Sequence, residues 1–519
     1  MPHAPGAMEE PAISEQRASI GRRVLAGTGW NMGWRVATRS LDFISLLVLA
    51  RLLIPADFGI VALASSVSAS IDALSQLGVK DALVRLHDER RDYYDTAFTF
   101  QVIRGALTAV LLAGFSQFSD AWLGDARLHD ILLIMAALAL VAGAENIGVV
   151  TFTRELNFRM QVMMQAVPRV LGFLTTVGLA LALRNYWAIV GGIVVLRTTG
   201  VAITYVAAPH RPRFGLTGWR YLASFSFWAW AGSLAGIIWG RSDGFLLGPV
   251  LGPSILGIYM MGVQLALMPV TELLEPACAA LFPGFAMAQR GGAKPTAMAL
   301  GVTGVLVLAT IPFSIGVSAC SGYLVTALLG PQWQEARLVI AILAFVCLFS
   351  PFSYVCSSVL SAQGHVRSVF VTNAIAAAVK VTVVLSVRQT HDLPLIAVAA
   401  VAVVSGEALL FLWQLRAGST AEFRQLVATL IRAFFAAIVT TAFAYFLLPG
   451  SWSVVTLDRI PALAAGGAVG ASTFLIFWIC HALFWLAAGR PAGAEARVAS
   501  LFHGLVQRVA WGRSVNQNP

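Results

Sequence analysis

Charge is what this sequence has least of. Of its 519 residues 12% are charged and 58% are hydrophobic, whereas a soluble domain carries about a quarter charged residues. A mean hydropathy of +0.78 excludes a soluble surface of this length. Cysteine is scarce too: Cys278, Cys320, Cys347, Cys356 and Cys480 lie in or beside apolar segments with no CxxC pair. That pattern excludes a disulfide framework and a zinc site, and the five are read as small core residues. There is no GxSxG, no HExxH, no Walker A loop and no DxD in a soluble extension. The eight histidines are scattered, and His481 is the one placed inside an apolar segment. A hydrolytic or transfer enzyme is therefore not expected, nor is a metal or a cofactor. Residues 1–20 lack the short apolar core of a cleavable signal peptide, so the first spanning helix serves as the insertion signal.

What the chain has in abundance is apolar runs of about 20 residues, the length that crosses a bilayer. Breaks at proline, glycine and charge clusters divide them into 14 spans, near 28–50, 58–79, 96–117, 128–150, 161–183, 186–208, 221–240, 256–276, 297–318, 336–358, 366–387, 394–415, 428–447 and 463–487. An all-α integral membrane protein is expected. Its net charge of +10 comes from Lys and Arg in short loops, which fits anchoring beside anionic lipid headgroups rather than binding nucleic acid. With the N-terminus in the cytoplasm, inside segments hold 21 of the 35 basic residues, outside loops seven and spans seven. That bias puts both termini inside. Beyond the last span, Val498, Leu501, Phe502, Leu505 and Val509 recur at helical spacing among Arg497, Arg508 and Arg513. A short amphipathic helix on the inner leaflet is the simplest account.

An internal repeat orders the spans. RLLIPADFGIVAL at 51–63 aligns with PVLGPSILGIYMM at 249–261 at an offset of 198 residues, matching Pro55 with Pro253 and Gly59 with Gly257. Proline and glycine punctuation between spans gives such a match by itself, but here it recurs at the same ordinal position in two sets of six. Two parallel, pseudo-symmetric lobes follow, with a cavity between them suited to alternating access. The expected organisation is a cytoplasmic segment 1–24, a first lobe 25–208, a second lobe 221–415, two further helices in 428–487 and a cytoplasmic amphipathic tail 490–519.

An ionisable group at the centre of a span costs at least about 2.5 kcal/mol on insertion scales, so each needs a partner, a wet cavity or a role. In the first span Asn31, Arg35, Thr38, Asp42 and Ser45 share a face, with Arg39 beside them. The second repeats the stripe with Ser65, Ser68, Asp72 and Ser75, the third with Gln101, Arg104 and Thr108, and the fifth with Gln161, Gln165 and Arg169. Glu145 and Arg197 add charges to the fourth and sixth. The first lobe thus sets five arginines against Asp42, Asp72 and Glu145, an interior suited to an anion, and arginine suits phosphate because its planar fork donates bidentately. The second lobe carries Glu272, Glu275, Lys380 and Glu407 and is net negative. Two roles stay open for the first-lobe charges: a substrate-binding set of Arg35, Arg39, Arg104, Arg169, Arg197, Asn31 and Gln165, or ion pairs that hold the bundle. Asp42, Asp72, Glu145, Glu272 and Glu407 are the candidates for ion coupling, Asp42 foremost because it shares a face with Arg35.

The order of GTGWNMGWRVATRSLDFISLLVLARLLIPADFGIVALA (27–64), RELNF (154–158), GRSDGFLLGPVLGPSILGIYMMGVQLALMPV (240–270), LFPGFAMAQ (281–289) and LLGPQWQEA (328–336) resembles the polysaccharide-exporting branch of the multidrug/oligosaccharidyl-lipid/polysaccharide exporter superfamily. The resemblance covers residues 25 to 415. It implies a 14-helix, two-lobed transporter without ATPase activity that flips undecaprenyl-diphosphate-linked oligosaccharide across the bacterial inner membrane for lipopolysaccharide, exopolysaccharide or capsule assembly. The partners implied are that polyprenyl-diphosphate-linked oligosaccharide, membrane lipid, and a polysaccharide polymerase with chain-length proteins. A drug or small-cation exporter of the same superfamily would instead show an acidic first-lobe cavity with aromatic walls. A membrane-embedded polymerase or ligase would show a large outside loop with paired Arg or His, and the longest outside loop here is about 20 residues.

Overall fold

A computed structural model describes residues 33–74, 83, 91–416, 420–448 and 452–500, apart from positions 35, 124, 156, 209, 218, 280 and 293. Every regular element among them is helical, as hydrocarbon demands of a chain that must satisfy its own backbone polar groups. The helices are α1 (36–52), α2 (Pro55–Leu74), α3 (Arg91–Ser116), α4 (Arg127–Gly143), α5 (Phe158–Leu183), α6 (Trp187–Ala207) and α7 (Trp219–Ala266). They continue as α8 (Leu281–Arg290), α9 (Pro295–Ala319), α10 (Ala336–Leu343), α11 (Val346–Ala362), α12 (Val366–Val387), α13 (Leu393–Leu415), α14 (Thr420–Leu447) and α15 (Arg459–Ala487). Among the described residues nine helices are long and apolar enough to cross a membrane, and the number is ten if α10 and α11, bent by 42° at their junction, are counted as one span. The chain is a multi-pass membrane protein. Helices α1, α2 and α4 occupy the expected first, second and fourth spans without being among those ten.

The chain divides into two compact units, Met1–Ile237 and Ile238–Pro519. In the first, α5 packs on α6, α3 on α4, and α4 also on α2 and α6. The α3–α4 contact is set by glycine: a Cβ on Gly105 would lie 2.7 Å from the Ala139 carbonyl oxygen and from the Gly143 Cα. Small residues are what let helices approach in lipid, where dispersion replaces the hydrophobic effect. At the end of this unit where α4 begins, Arg127 holds Asp125 through two hydrogen bonds of 2.9 and 2.6 Å and lies 5.7 Å from the Tyr186 ring centroid. Those bonds hold the Asp125 carboxyl below the usual carboxylate range.

Beyond α6 the chain runs extended along α3. The Arg213 amide donates to Asp95 at 2.9 Å and the Gly215 amide to Thr99 at 2.9 Å, so two carboxylate or hydroxyl side chains four residues apart on one helix replace a sheet partner for this strap. Asn146 adds a third tie, donating from Nδ2 to the His210 carbonyl at 2.8 Å.

The second unit is built around α9, which packs against α11, α14 and α15 and has the apolar composition of a helix surrounded on all sides. Val307, Leu308, Cys356, Phe411 and Phe477 form its core. All five cysteines are free thiols, four of them buried, as the sequence led us to expect.

Two expectations for this unit need correction. The spans placed at 221–240 and 256–276 are two helical stretches within Trp219–Ala266, but the break between them falls at Gly252 (φ 74°), just before Pro253. The helix continues past Arg241 and Asp243, the charges at which a break was expected, because Asp243 is paired inside the bundle with Lys380 at 3.1 Å. The interruption matches Pro55, where α2 starts after the α1 break, so both copies of the repeat restart a helix on their proline. After Ala266 the chain forms a wider π turn, Val270–Leu274, instead of completing the expected eighth span.

The second correction concerns the tail. Residues 494–500 are helical, but they dock into the unit instead of lying on a surface. Ala494 is buried and Val498 packs on the main core, and Glu495 is 5% exposed. The sequence pattern places the tail on the inner leaflet, whereas Glu495, at its start, pairs inside the unit with Arg432. The Gly301 Cα face of α9 receives the Arg497 guanidinium, which any Cβ there would strike. Residues 501–519, including Leu501, Phe502, Leu505 and Val509, lie outside the described residues.

Candidate functional site

Within the first unit the charges of the spans meet in pairs. Arg104 on α3 donates to Asp72 on α2 at 3.0 Å, and Arg169 on α5 stands 3.5 Å from Asp42 on α1. The sequence sets Asp42 beside Arg35 and leaves the acid that meets Arg104 or Arg169 open. Asp42 meets the arginine on α5, and Arg35, its expected neighbour on its own helix, lies with Asn31 outside the described residues. Neither pair is sealed: the side chains of Asp42 and Asp72 are each 43% exposed and that of Arg169 is 39% exposed. A partly exposed arginine already shared with a carboxylate keeps N–H donors for a second anion, since its fork has five.

The other first-unit candidates separate by position. Arg39 is half-buried on α1, and Arg197 is exposed on α6 with no ion pair among the described residues. Gln165 is exposed on α5, one turn before Arg169. Glu145 falls beyond the end of α4 at Gly143, in the turn before Ile147–Val149, so it is not a mid-span acid. The stripe read on α3 is largely packing. Gln101 is buried and donates to the carbonyls of Ala142 and Glu145 at 3.2 Å each, closing the C-terminus of α4, and Thr108 is buried. Of that stripe only Arg104 reaches an open face.

In the second unit Glu272 lies in the π turn and accepts from Thr271 at 3.2 Å. Glu275 accepts from Tyr354 at 2.6 Å, and Glu407 on α13 accepts from Ser353 at 3.1 Å. Asp243 falls between the seventh and eighth spans that the sequence defines and so is not among its candidates; the signal that finds it is Lys380, a lysine in the middle of an apolar span that requires an acid within reach. Among the described residues no group of three or more His, Cys, Asp or Glu is placed to hold a metal ion.

These elements match known proteins along most of the chain. The profile of a family described as polysaccharide biosynthesis protein matches residues 48–338. The succinoglycan biosynthesis transport protein ExoT of Rhizobium meliloti (strain 1021) is 25% identical over 325 residues, 62% of this chain and 66% of the relative. The lipopolysaccharide biosynthesis protein WzxC of Escherichia coli (strain K12) is 22% identical over 363 residues, 68% of this chain and 73% of that one. Among solved structures, the inward closed conformation of the lipid II flippase MurJ superposes with a TM-score of 0.69 at 12% identity, over 88% of this chain and 99% of that one. At that identity the likeness is one of fold.

Proposed function

This chain belongs to the polysaccharide biosynthesis protein family, and we propose that it is the flippase of its pathway, carrying an undecaprenyl-diphosphate-linked oligosaccharide across the bacterial inner membrane by alternating access. The observation that carries this reading is the fold shared with a lipid II flippase over 99% of that protein's length, joined to relatives described as a succinoglycan transport protein and a lipopolysaccharide biosynthesis protein.

The first-unit charges supply the chemistry the task requires. A diphosphate leaving water loses its solvation, and a cationic, hydroxyl-bearing face replaces it while the polyprenyl chain stays in lipid. Arg104 and Arg169, held by Asp72 and Asp42, present oriented guanidinium groups for this. Arg39, Arg197 and Gln165 extend the set, and Arg35 and Asn31 belong to it by their place on the first-span stripe. No bond is made or broken. The basic-residue bias of 21 inside against seven outside supports cytoplasmic ends for both termini, which brings a polysaccharide polymerase and chain-length proteins to the opposite face, where the flipped unit emerges.

The test is a strain deleted for this chain and complemented by parent or variant at matched protein level. The deletion should accumulate lipid-linked repeat units on the cytoplasmic side and lose surface polysaccharide. Normal polysaccharide with newly acquired drug sensitivity would replace the flippase reading with that of a drug exporter.

A further inference from the structure

At the end of the second unit where α9 and α14 begin, a recess opens between those two helices and the tail. It holds about 280 Å³ of empty space, part of it open to the outside. Leu300 and Leu426 supply apolar lining, and Glu422, Gln425 and Arg497 stand around it. None of these three polar side chains belongs to the first-unit set assigned to the cargo. Lys294 immediately precedes α9, Glu422 sits in the first turn of α14 and Arg490 follows the end of α15, so the recess lies where apolar spans give way to basic segments. That is the level of lipid headgroups.

Packing fixes Arg497 at this place. Gly304 lets the tail approach α9: a Cβ on it would lie 2.9 Å from the Ala494 Cβ. Gly301 leaves the room that the guanidinium occupies, since a Cβ there would lie 2.5 Å from the Arg497 Cζ. Glu495, two residues earlier, accepts from Thr429 at 2.9 Å, and Thr429 lines the same recess. Among the described residues the ion pairs of the tail are those of Glu495 with Arg432 and His481. Arg497 takes part in neither, so its fork of N–H donors borders the recess with no carboxylate of the described chain upon it.

A guanidinium held in place beside apolar side chains calls for an anion, and phosphate fits its fork. The Glu422 carboxylate on the same recess repels a ligand that is only anionic, and it has lone pairs for several donors at once. A ligand that carries both charges satisfies both side chains. At headgroup depth the molecule of that kind is a phospholipid with a phosphate and a primary ammonium.

We propose that this recess binds the headgroup of a zwitterionic aminophospholipid, phosphatidylethanolamine. Arg497 donates to its phosphate, its ammonium donates to Glu422 with the Gln425 amide beside them, and the acyl chains stay in the surrounding bilayer. A choline headgroup has no N–H to donate, and a glycerol headgroup leaves Glu422 without a cation. The bound lipid joins Glu422 of α14 to Arg497 of the tail, a second tie beside the buried one at Glu495. The site is independent of the flippase reading, because no cargo takes part in it.

The test counts retained lipids. The full-length protein is purified in detergent, supplied with equal amounts of phosphatidylethanolamine, phosphatidylcholine or phosphatidylglycerol bearing the same acyl chains, and weighed with its bound lipid by native mass spectrometry. The parent should hold a single phosphatidylethanolamine more tightly than either of the others, and that lipid should raise the protection of the 494–500 amides against hydrogen exchange. R497A and E422Q should each weaken its binding about tenfold, the loss of one charge-assisted hydrogen bond, and R497K should lose less. R424A, at an exposed arginine that does not line the recess, should bind as the parent does. E422Q should also hold phosphatidylglycerol better than the parent, a gain that misfolding does not give, so E422Q and R497K carry the test if R497A fails to fold. Equal retention of the three lipids by the parent means annular lipid only and overturns the site. Phosphatidylglycerol held by the parent as tightly as phosphatidylethanolamine leaves a plain anion site and overturns the zwitterion. A preference for phosphatidylethanolamine that is unchanged in E422Q overturns it too.

Discussion

Arg432 on α14 donates through Nε to Glu495 Oε1 at 2.8 Å, which joins a side chain of the penultimate spanning helix to a residue that follows the last one. Thr429, one turn earlier on α14, donates to the other oxygen at 2.9 Å, and His481 of α15 lies 3.9 Å away. The clasp therefore fastens α14 to the tail helix at one buried carboxylate, with His481 of α15 beside it.

Breaking a buried pair from one side leaves an uncompensated charge, at about 3–5 kcal/mol. Glu495→Ala should lower the unfolding temperature of the purified protein markedly and make the tail a protease target. Combining it with Arg432→Met should recover part of the loss. A double variant less stable than Glu495→Ala by the full cost of Arg432→Met alone would show that the two side chains are not coupled.

A second prediction concerns the strap between α6 and α7. His210 packs 5.5 Å from the Tyr94 ring, and burial pushes its imidazole below the ordinary value, outweighing Asp95 at 3.6 Å, which acts in the opposite sense. A folded-state value below the unfolded one means that the unfolded strap binds more protons, so its stability is full above the ordinary histidine range near 6.5 and falls as pH drops through the lowered value. The protection of the Arg213 and Gly215 amides against hydrogen exchange, measured relative to the unstructured chain at the same pH, should fall on acidification over that window. In His210→Gln that part of the pH dependence should vanish; an unaltered profile would assign it to another group.

Composition and periodicity revealed what the bilayer imposes. Helical class, the positions of α5, α6, α9, α12 and α13, and the restarts at Pro55 and Pro253 all follow from apolar length and from proline and glycine, which act locally. Pairing is not local. Whether Asp42 meets an arginine on its own helix or Arg169 on α5 depends on helix rotation, which a one-dimensional stripe does not encode. Asp243 was assigned to a loop because charge was treated as a helix terminator, although a paired charge terminates nothing. Glu495 escapes a reading of the tail as an amphipathic helix on the inner leaflet, since such a pattern is identical whether its polar side meets water or Arg432. The buried Gln101 shows the converse error, a polar residue in a cavity-like stripe whose amide closes a neighbouring helix.

The last prediction separates the two roles left open for the first-unit arginines. If Arg169 and Arg104 only brace the bundle, charge position matters and substrate does not, so exchanging the partners as Asp42→Arg with Arg169→Asp, or Asp72→Arg with Arg104→Asp, should preserve both stability and export. If they bind the diphosphate, each exchange keeps a pair but moves the guanidinium to another helix, where its fork no longer meets the same phosphate. Export should then fall at least about tenfold, corresponding to about 1.4 kcal/mol, within the range of a charge-assisted hydrogen bond, while the unfolding temperature stays near that of the parent. Lysine at either arginine should give an intermediate loss, because it keeps the charge and gives up the bidentate geometry. The measurement is surface polysaccharide at matched protein level, read beside thermal unfolding of the same variants. Full export from both exchanged pairs would assign these arginines to bracing and leave anion recognition to Arg39 and Arg197, with Arg35 of the first-span stripe.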